Sequence, residues 1–363
     1  MSDAPLDNVL AEGPHGGRAV WLKTADGTRI RAGIWAQDAP KGTVVLLPGR
    51  TEYIEKYGRT AADFAKAGFA TLTLDWRGQG RSARALGDAK VGHVGDFAEY
   101  QRDLDCLLDF AKAQGVPQPY YLLAHSMGGA IGLRALMRRL PFQAAAFSAP
   151  MWGILLSAWT RPLANVLSAA SRHLSFDHLY APGTGPMTYV LEVPFAGNSL
   201  TRDLGHWNYM RAQAAAHPEM SLGGPSFGWL RAALAECHAL RPLPSPALPC
   251  FCALGTLERI VDTLPIHTRM RTWKTGRLVV VPGAEHEILM ERPTPRAAFI
   301  ADCVELFSSS PKPFHRGSNT LGGAGGWPPA WGRALQVNLR KPVAQGEKGF
   351  ATSLDSALAG HLA

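Results

Sequence analysis

An α/β fold on a mostly parallel sheet, interrupted by one helical insertion, is what this chain predicts, and three observations carry the prediction. Short apolar runs alternate with helical patterns up to about residue 150, as in a sheet covered by helices on both faces. The alternation stops over residues 151–245 and then resumes. A serine stands where one of the apolar runs meets a helical pattern, among the chain's smallest side chains.

Taken in order, "AVWLKT" and "RIRAGIW" flank Asp26-Gly27, a hairpin signal. "TVVLLPG" is an unbroken apolar run ended by Pro48-Gly49, the pattern of a strand buried on both faces. "GRTAADFAKAG" is a short helix closed by Gly68, and "FATLTLD" is a second buried strand. From Asp96, apolar residues at Phe97, Tyr100, Leu104, Leu107, Leu108 and Ala111 trace one face of a helix. The strand "YYLLAH", a helix from Met127 and the strand "FQAAAFSAP" follow. "LPCFCALG", "RLVVVPG" and a helix from about Pro293 to Phe307 complete the pattern.

The expected organisation is a first core segment over 1–150, a helical cap over 151–245, a second core segment over 246–309 and a tail over 310–363. The insertion is rich in tryptophan and proline and contains no clear buried strand. The tail is rich in glycine and proline without a period, and most of it is expected to be disordered.

At 363 residues, 46% hydrophobic and 18% charged, the composition is globular. No run of 18 apolar residues occurs, so no spanning helix is expected, and "MSDAPLDNVLAEG" carries no secretory signature. The five cysteines are expected to be reduced core thiols of a cytoplasmic protein. Only Cys250 and Cys252 lie close together, and they are taken to face opposite ways along a strand, forming neither a disulfide nor a zinc site. The net charge is +8, of which residues 311–363 contribute +4, from six basic and two acidic residues. No basic face alternates with aromatic residues, which argues against nucleic acid as a partner. A mild attraction to anionic membrane surfaces, including a peripheral position at the inner membrane, suits this charge distribution.

The stretch "YYLLAHSMGGAIGLRAL" carries the chemistry. A serine hydroxyl becomes a nucleophile when a base takes its proton and the chain holds it toward substrate. The strand-to-helix turn that does the second job needs small residues two before and two after the serine. Ala124 and Gly128 stand there; glycine is usual at the first position, so the match is to a variant form. The N–H of Met127, at the start of the helix, can donate to a developing oxyanion. The alternative is that Ser126 merely caps the helix. His125, adjacent to Ser126 in a sharp turn, is expected to pack or to face substrate rather than act as the base.

The base and acid should follow later in the chain, acid first. His286, in "VVVPGAEHEILME", lies just after the last strand, and Glu258, in "CFCALGTLERIVD", just after the preceding one. Asp262 is the reserve for the acid. A second oxyanion donor is expected from the turn "LLPGRTEY", at the N–H of Arg50. "LDWRGQGRS" lacks the full dinucleotide fingerprint and is read as a structured loop at the carboxyl edge of the sheet.

The set "LLPGRTEYIEKY", "LDWRGQGRS", "AHSMGG", "GTLERIVD" and "GAEHEILME" resembles the α/β-hydrolase branch that contains bacterial lysophospholipase L2 and monoacylglycerol lipases. The resemblance extends over roughly residues 15–308 and includes "NSLTRD" and "GGPSFGWL" in the insertion. It implies an α/β-hydrolase fold with an eight-stranded sheet, a helical cap over the site, and cofactor-free, metal-free hydrolysis of acyl esters. By position it makes Ser126 the nucleophile, Glu258 the acid and His286 the base, with the Arg50 and Met127 N–H groups as oxyanion hole. Three departures stand out: "PG" replaces the usual "HG", glutamate replaces the commoner aspartate at the acid, and the tail has no counterpart.

The activity expected is release of fatty acid from a lysophospholipid, an amphiphilic substrate whose acyl chain would meet Trp152, Leu155 and Trp159, with Ile154, Leu156 and Leu163 beside them. Arg50 and Arg259 are candidates for a headgroup cation. A monoacylglycerol lipase or general carboxylesterase is the nearest alternative. An aminopeptidase acting on proline amides would need acidic residues for the substrate amine, and a non-catalytic binding module would ordinarily lack one member of the triad.

Overall fold

The computed structural model describes residues 1–155, Ser171 and 176–310. Its centre is a nine-stranded sheet: β1 (Ser2–Ala4), β2 (Arg18–Lys23), β3 (Arg29–Trp35), β4 (Thr43–Leu47), β5 (Ala70–Asp75), β6 (Tyr120–His125), β7 (Phe142–Ser148), β8 (Cys250–Gly255) and β9 (Gly276–Val281). The spatial order is β1-β2-β3-β5-β4-β6-β7-β8-β9. The first three strands run antiparallel to their neighbours, and β5 through β9 are parallel. All eight strands read from the sequence are present. The ninth, β1, is an edge strand of three residues, too short to leave a periodic signal.

The inner strands are buried throughout because helices cover both faces, which is why "TVVLL" and "YYLLAH" are apolar runs rather than alternating ones; "ATLTLD" alternates leucine with threonine, and both of its faces are buried all the same. Helices α2 (Gly58–Lys66) and α9 (Pro293–Ser309) pack together on one face, and α3 (Ala98–Ala113) and α4 (Met127–Met137) on the other. Phe307 anchors α9, stacking on Tyr121 at 4.9 Å between ring centroids. The short helix α1 (Asn8–Ala11) lies in the N-terminal arm, and α8 (Thr263–Thr272) precedes β9.

Between β7 and β8 the described residues include the α-helices α5 (Tyr189–Glu192), α6 (Leu204–Ala216) and α7 (Phe227–Leu240) and a 3₁₀ turn over Pro218–Met220, and add no strand to the sheet. Asp203 caps α6 by accepting the N–H of His206, and Ser226 caps α7 by accepting that of Trp229. The Tyr209 hydroxyl of α6 donates to the Ala11 and Glu55 carbonyls, tying this helix to the N-terminal arm and the core. No helix among the described residues is long and apolar enough to cross a membrane. The tail lies outside the described residues.

The chain leaves β4 toward β5 on one side and later returns to β6 on the other. The sheet's order therefore reverses between β4 and β6, the place where doubly wound sheets open a crevice at the carboxyl ends of their strands. Leu47 and Ala124, near the ends of these two strands, are in register, so the turns that follow them face each other.

Two details differ from expectation. Cys250 and Cys252, two apart on β8, share one face of the strand, since side chains alternate with a period of two; both are free thiols. Four of the five cysteines are buried, but Cys106 on α3 is half-buried, because its position falls beside the packed face of that helix.

One ion cluster holds the antiparallel half of the sheet. Arg31 on β3 is fully buried and binds Glu55 at 2.6 Å and Asp75 at 2.7 Å, while also donating to the Pro5 carbonyl. Removing the cation leaves two carboxylates unpaired in the interior. Arg31→Met is expected to destabilise the chain by roughly 3–5 kcal/mol, read as a shift in the urea midpoint. A shift equivalent to less than about 1 kcal/mol would remove the cluster from the account of stability.

Candidate active site

Ser126 joins β6 to α4 with φ 49° and ψ −118°. This conformation is sterically costly for any residue with a side chain. Backbone hydrogen bonds hold it: the Ser126 N–H donates to the Ser148 carbonyl at 3.1 Å, and the Ser126 carbonyl accepts from Gly129 and Met151, each at 2.8 Å. Although Ser126 occupies the N-cap position of α4, its side chain makes no capping hydrogen bond, so the cap reading fails.

Gly128 shows why the turn needs small residues. A Cβ there would lie 2.2 Å from the Leu47 carbonyl oxygen and 2.6 Å from that of Pro48. The turn after β4 and the start of α4 thus touch backbone to backbone, which brings the Gly49–Arg50 segment alongside Met127. Ala124 substitutes for the usual glycine because it faces Gly132, whose own missing Cβ would sit 3.2 Å from the alanine methyl.

His286 follows β9 and Glu258 follows β8. Nδ1 of His286 lies 2.7 Å from Oε2 of Glu258, with both side chains buried. The other carboxylate oxygen, Oε1, accepts the N–H groups of Ile260 at 2.7 Å and Val261 at 3.0 Å, which fixes the acid's orientation. The longer glutamate reaches the imidazole from this position. Asp262 instead caps α8, accepting the N–H of Leu264 at 3.1 Å. Burial opposes a charged imidazolium, but the charge and hydrogen bond of Glu258, with Glu287 and Glu52 nearby, raise His286 above the ordinary imidazole value.

Ser126 and His286 line one cavity, together with Arg50, Glu52, Lys56, His125, Tyr189 and Glu287. An adjoining cavity of about 270 Å³ shares Arg50, Thr51 and Tyr189 with it and adds Met187, Glu192 and Leu222. His125 faces the first cavity. Its Nδ1 lies 3.0 Å from the Ser148 carbonyl oxygen and its ring 4.8 Å from that of His286. Burial, only partly opposed by Glu52, pushes His125 down to about 3, so this ring is neutral.

The sequence reading missed a buried charge network beside the site. The Lys56 ammonium bridges Glu52 at 2.6 Å and Glu287 at 2.5 Å. Glu52 also accepts the Tyr57 hydroxyl and the Gly49 N–H. Burial penalises the Glu52 carboxylate, but the Lys56 charge, with the hydrogen bonds from Lys56 and Tyr57, overcomes that and holds it below the ordinary carboxylate value. Glu52, His125 and Glu287 approach one another closely enough to suit a metal ion. Lys56, bonded to both carboxylates, already supplies positive charge there. Glu52 and Lys56 are four apart in "TEYIEKY", a spacing common on solvated helix faces, and Glu287 joins them only through the fold.

The "NSLTRD" phrase of the insertion has a defined task. Ser199 and Leu200 offer carbonyls to the His286 and Glu287 N–H groups at 3.3 and 2.8 Å, while Asn198 Oδ1 accepts the N–H groups of Leu200 and Thr201. The insertion therefore supports the loop that carries His286. The "LDWRGQGRS" loop is structural as expected: Asp75 pairs with Arg31, and Arg77 pairs with Asp103 at 2.8 Å. Gly80 is required there, with φ 51° and a would-be Cβ only 2.2 Å from the Asp75 carboxylate.

The acyl-contact residues need correction. Trp152 belongs to the core: it stacks on Trp273, packs edge-on against Phe147 and donates from Nε1 to the Gly129 carbonyl. Leu155 is half-buried and is absent from the walls of both cavities, held by an N–H contact to the Ile260 carbonyl at 3.4 Å. Trp159, Leu156 and Leu163 lie outside the described residues. Of the two candidate headgroup cations, Arg50 lines both cavities, its guanidinium donating to the Gly223 carbonyl at 2.5 Å above the Trp229 ring. Arg259 is turned away, toward the Asn198 carbonyl and Glu285.

Comparison with known proteins places the chain in a family. The family model described as "Serine aminopeptidase, S33" matches residues 38–293. Lysophospholipase L2 of Escherichia coli strain K12 is 35% identical over 280 residues, covering 74% of this chain and 81% of that protein. A monoacylglycerol lipase of Mycolicibacterium smegmatis is 38% identical over 106 residues, 29% of this chain and 36% of that one. Among solved structures, a soluble variant of the Saccharomyces cerevisiae monoglyceride lipase matches with a TM-score of 0.61 at 19% identity, over 79% of this chain and 93% of its own. A carboxyl esterase of Bacillus coagulans matches at 0.63 and 17%, over 81% and 98%. Both structures share the α/β-hydrolase architecture with this chain. The family match over most of the sequence, together with the lysophospholipase L2 identity, shows that the chain belongs to the S33 serine aminopeptidase family of α/β hydrolases.

Proposed function

We propose that this chain is a serine carboxylic-ester hydrolase that releases the fatty acid from a lysophospholipid, with Ser126, His286 and Glu258 as its triad. The observation that carries the reading is the buried 2.7 Å hydrogen bond between His286 and Glu258 in the wall of the cavity that Ser126 also lines. The substrate class rests on the 35% identity to lysophospholipase L2 over 74% of the chain.

In this mechanism Ser126 Oγ attacks the ester carbonyl as His286 takes its proton. Glu258 holds the imidazole by Nδ1 and stabilises the imidazolium. The N–H groups of Arg50 and Met127 receive the oxyanion, and His286 protonates the departing glycerophospho-alcohol. Water, activated by the same imidazole, then frees the fatty acid and restores the serine. His125, neutral beside His286, leaves the site with one proton acceptor of suitable basicity. The aminopeptidase reading lacks support here, because Glu52 and Glu287, the acidic residues of the cavity wall, are both engaged by Lys56. We further infer a soluble hydrolase that meets its amphiphilic substrate at an anionic membrane surface, for which the net charge of +8 is favourable.

Ser126→Ala is expected to abolish labelling by a fluorophosphonate and to cut fatty acid release on the order of 10⁶-fold. Assays with lysophosphatidylcholine, lysophosphatidylethanolamine and monoolein side by side test the substrate class. Turnover retained by the variant would refute the mechanism, and preference for monoolein would move the chain to the monoacylglycerol lipases.

A second expectation concerns pH. The base must be neutral, so kcat/KM should fall as pH drops through the His286 value, which lies above the ordinary 6.5. Glu258→Gln removes the main stabiliser of the imidazolium; its residual turnover, lowered roughly 10⁴-fold, should show this limb at lower pH. A limb that stays in place in the variant would take the role of acid from Glu258.

A further inference from the structure

The Gly49–Thr51 turn is held from outside by a residue that takes no part in proton transfer. Gln79, from the "RGQG" loop, is buried. Its Oε1 accepts the N–H of Thr51 at 3.1 Å, and its Nε2 donates to the carbonyl of Gly49 at 3.1 Å. The Gly49 carbonyl and the Arg50 N–H belong to one planar peptide unit, in which the two groups point in opposite directions. A donor on that carbonyl therefore sets where the Arg50 N–H is aimed, and it polarises the amide so that the N–H becomes the stronger donor.

The rest of the turn depends on the same clasp. Thr51 sits at φ 66°, a left-handed conformation that a β-branched residue does not hold unaided. Trp76 donates to the Pro48 carbonyl at 2.9 Å, and the Glu52 carboxylate takes the Gly49 N–H. Every peptide group flanking Arg50 is thereby bonded to a buried side chain of the neighbouring loop or of the turn itself.

We propose that Gln79 is a positioning residue for the oxyanion hole: through the Gly49 carbonyl it aims and strengthens the Arg50 N–H toward the charge that develops on the substrate. The inference rests on the ester-hydrolase reading of Ser126. It assigns a role in transition-state stabilisation to a loop that otherwise reads as structural.

The test compares the full chain with Gln79→Met and Gln79→Glu, using lysophosphatidylcholine turnover, the rate constant for fluorophosphonate labelling and thermal unfolding. The glutamate can still accept the Thr51 N–H and, when ionised, has no proton to donate to Gly49. Both variants are expected to lose about tenfold in kcat and in labelling rate, with KM unchanged and the acid limb of the pH profile unmoved, short of the 10²–10³ that follows loss of a donor itself. A folded variant that labels within about twofold of wild type overturns the proposal, as does a loss confined to KM or a displaced pH limb. If neither variant folds, Gln79 is a stability residue and the proposal falls. Wild-type protein that does not label at all refutes the Ser126 reading and this proposal with it, whereas equal labelling by all three proteins refutes this proposal alone.

Discussion

Ser126 holds a backbone conformation that the surrounding sheet must enforce, at a cost of roughly 1–3 kcal/mol for a residue that carries a Cβ. Three backbone hydrogen bonds, to Ser148, Gly129 and Met151, offset that strain; the one to Gly129 is local to the start of α4, and the other two depend on β6 and β7 lying side by side. The absence of a side chain at Gly128 lets the turn after β4 press against the start of α4. The constraint on one residue therefore reaches three strands: β6 delivers the serine, β7 pins its backbone, and β4 brings the opposing turn. The reversal of strand order between β4 and β6 is what leaves room for chemistry above it.

The electrostatics of the cavity are arranged in two layers. Glu258, fixed by two backbone N–H groups, pairs with His286 and makes it more basic than a free imidazole. Beside it, Lys56 binds both Glu52 and Glu287, so two further carboxylates approach the site already paired. His125 lies between the layers and is kept neutral by burial. Two histidine rings 4.8 Å apart thus have opposite tendencies, because one has a carboxylate in hydrogen-bond contact and the other has Glu52 no nearer than 3.6 Å.

The segment between β7 and β8 does more than lie near the site. Its Ser199 and Leu200 carbonyls carry the backbone of His286 and Glu287, while Thr201 bonds the Met290 carbonyl and Arg202 the Glu291 carboxylate. Displacing this segment would also displace His286. The sheet architecture is one that proteins of 17–19% identity adopt with TM-scores above 0.6.

Much of this was legible in the chain itself. The strands of the parallel sheet announce themselves as apolar runs because burial on both faces demands it, and helices α3 and α4 follow from their periodicity. Ser126, Glu258 and His286 could be named because each follows a recognisable strand, and strand ends are where such a sheet exposes its chemistry. Trp152 could not be placed, since an apolar residue near a site reads the same whether it faces a ligand or Trp273. The choice between Glu258 and Asp262 was open for a similar reason: two loop carboxylates four apart differ only in what they meet. Sequence thus determined the order of elements and singled out the candidate side chains at strand ends, which are local properties of pattern and residue type. Tertiary structure alone decided which carboxylate reaches the imidazole, that Lys56 joins Glu52 to a residue 231 positions later, and that Gln79 holds the Gly49 carbonyl, because these pairings depend on distances across strands that no local pattern records.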